Sequence, residues 1–430
     1  MKNISEIEDL CTGCGTCAGL CPTSIIRMEI NEEGTYKPVI KGECDECKTC
    51  IRVCPGIGVD FIDLNMMIFG RKPTNILLGN YEDCYIGYSS DEKLRYDSSS
   101  GGMITQILLY LLEEGFIDGA LVTRMNPKRP FEPEPFIART PEEIIESKGS
   151  KYCPVPTNIC LQEIIKTPGK YAIVGLPCHI HGIRKAEKIN KKLRKRIKYH
   201  LGIVCNHTPT FKATEFLLEN FGIKKEEVKS ISYRGEGWPG NLKVETEDGS
   251  TIKLPHFSFM YWGFFFNSFY FPYRCLICPD KVCELADASF ADAWVNDIMK
   301  NDNNGTSMII SRNSSFNELL FKMKNENKIF IKKIPKALFE ESQSLLSVKR
   351  RFLSNMTILS HFKKVPLYRQ KYPEISLSDH VRSIMFLSRN IISIKGQKWI
   401  IKLYLRSFKK ASYLKRSLKN ISNKFGAFKS

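Results

Sequence analysis

Two runs of cysteines near the N-terminus constrain this chain more than anything else in it. Cys11, Cys14, Cys17 and Cys21 precede Pro22, and Cys44, Cys47, Cys50 and Cys54 precede Pro55, with the same spacing in both runs. Three close thiolates and a fourth beside a proline form the pattern of paired 4Fe-4S clusters, in which the fourth cysteine of each run crosses to the other cluster. Cys11, Cys14, Cys17 and Cys54 are therefore expected around one cluster, and Cys44, Cys47, Cys50 and Cys21 around the second. A pair of zinc knuckles would leave the third close cysteine and the trailing Cys-Pro unexplained. Disulfides fit poorly with a start, MKNISEIEDLCTGC, that is acidic and has no cleavable targeting pattern.

Residues 1–62 thus read as a bacterial-type ferredoxin domain, organised by its metal more than by an apolar core. A chain of 430 residues needs at least one further domain, and a hydrophobic content of 43% lets that domain bury a proper interior. No apolar run of about eighteen residues appears, so no spanning helix is expected. The other eight of the sixteen cysteines are scattered, which suits a reducing, cytoplasmic interior. Charge is uneven: thirteen Lys/Arg and no Asp/Glu follow Asp379, which leaves +5 of the net +18 for the rest. Such a tail is an interaction device before it is a fold signal.

After a connector over 63–80, punctuated by Gly70, Pro73 and Gly79, an α/β (α+β) domain is expected over 81–310. Ser98-Ser-Ser-Gly-Gly102 precedes a helix that ends near Gly115; segments 117–123, 171–175 and 201–205 read as short buried strands, and 180–198 as a helix. Residues 230–256 carry a hairpin around Glu247–Gly249. Residues 311–430 read as a helical basic extension in which Lys398, Lys402, Arg406 and Lys409 form a stripe and Trp399, Ile400, Leu403, Tyr404 and Phe408 lie off it. That pattern suits peripheral contact with an anionic membrane surface or an acidic protein partner. It points away from nucleic acid, since no nucleic-acid-binding signature accompanies it.

The loop at Ser98–Gly102 has two readings: a nest of backbone amides for a nucleotide phosphate, or a helix N-cap by Ser99 or Ser100. Cys178 follows one expected strand, Cys205 ends another, and Cys275 and Cys278 have the close spacing of metal ligands. Taken singly, each is by default a buried inert thiol.

Between Tyr85 and Trp294 an ordered series of motifs resembles the beta subunit of the deazaflavin (coenzyme F-420) hydrogenases and dehydrogenases, here behind a ferredoxin. Its carriers are Ser100-Gly-Gly-Met-Ile-Thr105, Gly149-Ser-Lys-Tyr152, Gly175-Leu-Pro-Cys-His179, Gly202-Ile-Val-Cys205, Tyr233-Arg-Gly-Glu-Gly-Trp238 and Ala286-Asp-Ala-Ser-Phe-Ala-Asp-Ala-Trp294. The resemblance implies FAD and a third 4Fe-4S cluster, with Cys178, Cys205, Cys275 and Cys278 as its ligands and Cys283 as a possible replacement for one of them. It implies a flavin and substrate wall of Ser100, Gly101, Gly102, Thr105 and Ser150, with Lys151 and Tyr152 nearest the chemistry. His179 stands where family members often have Gln.

The function expected is an oxidoreductase moving electrons, in either direction, between ferredoxin clusters and an organic two-electron substrate through FAD, the deazaflavin being one candidate. The competing expectation is an electron-carrier subunit with no substrate chemistry of its own, serving a partner enzyme, for example in glycan assembly. A redox partner protein or an organic donor or acceptor is implied either way. A bulky residue at Gly101 or Gly102 is expected to expel the flavin phosphate.

Overall fold

The structure, a computed structural model, describes residues 3–258, 261, 263, 265–394, 398–401 and 403. In the ferredoxin segment β1 (Ile26–Ile30) and β2 (Tyr36–Ile40) form an antiparallel hairpin, and β3 (Gly58–Asp60) follows the second cysteine run. The cysteines sit on or beside single helical turns at Thr16–Gly19 and Thr49–Arg52.

The large domain is built on one sheet. Its strands are β4 (Asp83–Ser89), β5 (Gly119–Asn126), β6 (Arg129–Ala138), β7 (Tyr171–Gly175), β8 (Ile197–Ile203), β12 (Ala288–Asp292), β13 (Ser307–Ser311) and β14 (Ile329–Ile334), while β9 (Val228–Ser232), β10 (Asn241–Thr246) and β11 (Thr251–Pro255) make a separate three-stranded sheet. The spatial order is β14-β4-β13-β12-β8-β7-β5-β6, with β12, β8, β7 and β5 parallel and the outer pairs antiparallel. Uninterrupted apolar runs such as Tyr171-Ala-Ile-Val suit the parallel centre, which is covered on both faces. On one face α1 (Met103–Glu113) contributes Met103, Ile107 and Leu111; on the other α2 (Pro177–Ile189) contributes Ile180, Ile183 and Ala186.

The expected helix over 180–198 is two helices, because Asn190 leaves the helical region and its side chain accepts from the amides of Lys192 and Leu193. The extension from 311 is not all helical. β14 pairs with β4 at the sheet edge, its alternating Ile-Phe-Ile-Lys-Lys-Ile burying the isoleucines, and β15 (Leu367–Arg369) pairs parallel with β3. Two long helices flank β15 in the chain, α3 (Leu345–Ser360) before it and α4 (Leu377–Ile394) after it. Among the described residues no helix is long and apolar enough to cross a membrane.

A buried quartet ties α2 to the sheet. Arg184 donates to Glu187 (3.0 Å) and Asp287 (3.1 Å), while the His200 ring lies 2.6 Å from Glu187 and 3.1 Å from Asp287. Burial and Arg184 disfavour the charged imidazole, but Glu187 and Asp287 outweigh them and its pKa is raised above 6.5. Its contribution is full below the unfolded value and is lost as pH rises through the folded one. The denaturation midpoint should thus decline as pH rises above about 6.5, and His200→Gln should flatten that decline; an unchanged slope in the variant would remove His200 as its source.

Candidate functional site

The crossed cysteine sets come together in space. Cys17 is held up by burial and by the negative charge of Cys14, Cys11 and Cys54, and Cys54 is pushed up to about 12 by burial and by Cys14 and Cys11. Cys21, Cys44, Cys47 and Cys50 line one small cavity at the other end of the segment, where Cys47 is exposed. Buried thiols that repel one another's charge are ones that a metal centre can ionise and a bare pocket does not.

The ferredoxin segment is fitted closely to the large domain. The Thr157–Cys160 turn lies between it and α2: Asn158 donates its backbone N–H to Cys14 O (2.9 Å) and its side-chain amide to Thr16 Oγ1 (2.7 Å) and His179 O (2.9 Å). The fit requires glycine. A Cβ on Gly19 would lie 2.1 Å from Asn158 O, and one on Gly182 2.1 Å from Thr16 Oγ1.

Beyond that joint a second group of thiols gathers at the carboxyl ends of the parallel strands, where open α/β sheets hold their ligands. Cys178 opens α2 after β7, Cys205 follows β8, and Cys275 and Cys278 lie just past the Ser268–Tyr270 turn. Burial raises Cys178 most, then the charges of Cys14, Cys205, Cys275 and Cys278. Burial likewise pushes Cys205 and Cys278 up to about 12 and Cys275 to about 11. Cys14 of the ferredoxin is therefore the neighbour of this group. Among the described residues no three acidic, His or Cys side chains converge tightly enough for a single metal ion. Cys283 is fully buried, faces Gly175 O at 3.8 Å and packs on Gly202.

Cys205 also borders a cavity of about 720 Å³. Ser100, Gly102, Thr105, Ser150, Lys151 and Tyr152 all line it; Gly101 does not. The expected cap by Ser99 or Ser100 is not made. Gly102, at φ +71, precedes α1 without a side-chain cap, Ser99 Oγ accepts from the Ser150 amide (2.7 Å), and Ser100 Oγ donates to Thr306 O (3.0 Å). A Cβ on Gly101 would meet Gly87 O at 2.6 Å, and one on Gly102 would meet Ser98, Ser89 and Arg95 at 3.3–3.5 Å. Bulk at either glycine would strike protein before it reached a ligand, so such variants report on folding.

Burial lowers the Lys151 amine to about 7, and it donates to the carbonyls of Ser147, Lys148 and Gly149. The Tyr152 ring sits among Tyr233, Tyr261, Phe265 and Phe266. His179 Nδ1 accepts from the Leu176 amide (3.2 Å), which leaves Nε2 to donate to Val155 O (3.1 Å). Burial lowers this imidazole to about 4, so it is neutral at pH 7.

The cavity's most ordered polar feature joins two motifs far apart in the chain. Arg234 grips Asp292 with two bonds of 2.6 and 2.9 Å, and Trp238 Nε1 donates to the same carboxylate at 2.9 Å. Burial alone would raise the Asp292 carboxyl, but Arg234 outweighs it and lowers it. Trp294 stacks on His256, with ring centres 5.5 Å apart. Asp292→Asn would leave a buried guanidinium without its counter-charge and should cost about 3–5 kcal/mol. Thermal denaturation measures this, and a variant as stable as the parent would make the pair dispensable.

Known proteins place this architecture. Residues 84–162 and 169–337 match the two parts described as "Coenzyme F420 hydrogenase/dehydrogenase, beta subunit", N-term and C terminus, and residues 3–60 match "4Fe-4S dicluster domain". The coenzyme F420 hydrogenase subunit beta of Methanothermobacter thermautotrophicus is 31% identical over 254 residues, 57% of this chain and 82% of that protein. The chain belongs to the coenzyme F420 hydrogenase/dehydrogenase beta subunit family. The coenzyme F420-dependent sulfite reductase of Methanocaldococcus jannaschii is 26% identical over 66% of this chain and 43% of its own length. A chain of the F420-reducing [NiFe] hydrogenase complex from Methanosarcina barkeri shares the fold, with a TM-score of 0.53, 23% identity, and coverage of 67% of this chain and 96% of that one. This family member is an iron–sulfur, oxidoreductase-related protein with a 4Fe-4S ferredoxin domain at its N-terminus. The sequence reading missed Arg234, Asp292, His256 and Lys281 as site residues, although the first two stand inside motifs that carried the resemblance.

Proposed function

We propose that the chain is an iron–sulfur flavoprotein oxidoreductase that moves electrons between its ferredoxin clusters and an organic two-electron substrate. The observation that carries this is the double position of Cys205, which stands in the inner thiol group and on the wall of the large cavity. Cys178, Cys205, Cys275 and Cys278 are assigned to a third 4Fe-4S cluster. Cys178 responds to the charge of the other three, whereas Cys283, though coupled to Cys205 and Cys278, faces Gly175 O and packs on Gly202, which favours this set over one containing Cys283. With Cys14 beside Cys178, the order is the Cys47 end of the ferredoxin, its Cys11–Cys54 cluster, the inner group, then the cavity.

A cavity of about 720 Å³ suits a cofactor, and we assign FAD to it. When bound, FAD interconverts the one-electron steps of clusters and the two-electron exchange of an organic substrate. Ser99, Ser100, Thr105 and Ser150 supply polar contacts, while the Arg234–Asp292 clasp holds the far wall. Lys151, with its amine near neutrality, and the Tyr152 hydroxyl are the groups placed to hold a proton. The relatives' names make coenzyme F420 the first substrate to try.

Anaerobically purified protein should release about one flavin per chain on acid extraction, and its dithionite-reduced form should be reoxidised by coenzyme F420. Intact cluster absorption without any flavin would sink this reading and leave an electron carrier that serves a partner enzyme.

Peripheral membrane contact is proposed on different grounds. Ser383, Leu387 and Asn390 bury one side of α4, yet Leu377, Val381, Ile384, Met385 and Ile391 are each more than half exposed on the other. An apolar face followed by basic residues is the pattern of an interfacial helix on an anionic leaflet. Of the basic stripe, Lys398 pairs with Glu219 at 2.7 Å and Ile401 is buried against the body. Lys402, Tyr404, Arg406, Phe408 and Lys409 lie outside the described residues. Val381→Asp with Met385→Asp should abolish flotation with acidic-lipid vesicles and leave iron content unchanged; a full chain that ignores such vesicles at low salt has no such contact.

A further inference from the structure

Past residue 337 the chain leaves the family match, yet it comes back to the cavity. α3 is anchored by the buried Lys349–Glu284 pair and by Asn355, which donates to Leu276 O at 2.9 Å. Ser344, Ser347 and Arg351 thereby join the wall beside His207 and Lys281. The cavity lining holds one carboxylate, Asp292, and Arg234 occupies it. Lys281 donates to Gln343 O at 2.6 Å, and the Arg351 guanidinium lies 4.6 Å from the centre of the Phe386 ring. Among the described residues neither cation has an acidic partner. Cations gathered in a partly desolvated corner repel one another unless an anion stands between them.

We propose that the Lys281–Arg351 corner is an anion subsite that takes a phosphate-class group, held by the two cations with the hydroxyls of Ser344 and Ser347. Arginine and lysine with adjacent hydroxyls supply the donors that a phosphoryl group accepts. The group belongs to the cofactor's pyrophosphate or to a phosphorylated substrate. The inference rests on the cavity being the ligand site and not on flavin being its ligand.

Inorganic pyrophosphate is the probe, titrated calorimetrically into the anaerobic full-length protein as isolated and after flavin removal, with flavin content recorded separately. Binding is expected in at least one form. Arg351→Gln should weaken it about tenfold or more, as for loss of a charge-assisted hydrogen bond, and Arg351→Lys should restore most of it. Cluster absorption equal to the parent's certifies the fold of each variant. Flavin lost together with pyrophosphate binding in Arg351→Gln assigns the corner to the cofactor; flavin retained assigns it to the substrate. No heat in either form of the parent, or parental affinity in Arg351→Gln, overturns the subsite. A changed inner-cluster potential with unchanged pyrophosphate affinity would make the corner a counter-charge for the cluster instead. A protein that never contained flavin contradicts the cofactor assignment alone and leaves the titration to be read as it stands.

Discussion

Anaerobically reconstituted protein is expected to carry about twelve iron atoms per chain, and Cys278→Ser about eight, three cubanes of four becoming two. The loss should fall on the inner group, because Cys278 is charge-coupled to Cys205 and stands with it around Cys178. Cys283→Ser should retain about twelve, since that side chain packs on Gly202. Chemical iron analysis with low-temperature electron paramagnetic resonance separates the cases. Eight iron atoms in the parent would remove the third cluster, and a loss confined to Cys283→Ser would transfer the ligand role to that residue.

The second large effect is expected at the joint between ferredoxin and large domain. Gly19→Val places a branched side chain where even a Cβ would lie 2.1 Å from Asn158 O, and backbone on both sides leaves no room to yield. Overpacking of this kind costs about 1–3 kcal/mol, more where backbone must move. Ile4, Ile7, Leu10 and Ile26 pack with the ferredoxin cysteines, in a core that also takes in Ile277, away from this joint, so the clusters should remain while the segment lifts from α2. Proteolysis should then release it, and electrons given to the ferredoxin by dithionite should reach the cavity far more slowly. Parental stability with undiminished internal transfer would show that this joint is not the electron route.

What could be read from the chain divides by distance along it. The ferredoxin cysteines are legible because each run is local and the crossing of Cys21 and Cys54 follows from cluster geometry. Strand Tyr171–Gly175 is legible because a strand buried on both faces needs an unbroken apolar run. β14 was misread as helix: Ile329–Ile334 is short, two of its residues are lysines on the solvent face, and helical patterns flank it on both sides. Arg234 and Asp292 lie 58 positions apart, and no periodicity links them. The N-cap expected of Ser99 or Ser100 was misjudged for another reason. Their hydroxyls are taken up instead by the Ser150 amide and by Thr306 O, partners from far along the chain that local sequence does not show.

The placement of β4 has a consequence for how the molecule is made. This strand is among the first of the large domain to leave the ribosome, yet both its neighbours, β13 and β14, are encoded more than two hundred residues later. Until Ser311 emerges β4 has two open edges, and until Ile334 emerges it keeps one; contacts of such long sequence separation form slowly. A chain cut before Ser307 should accumulate as insoluble material even though every ferredoxin cysteine and all four inner thiols are present. All sixteen cysteines are thus made before the two strands that close the sheet over β4.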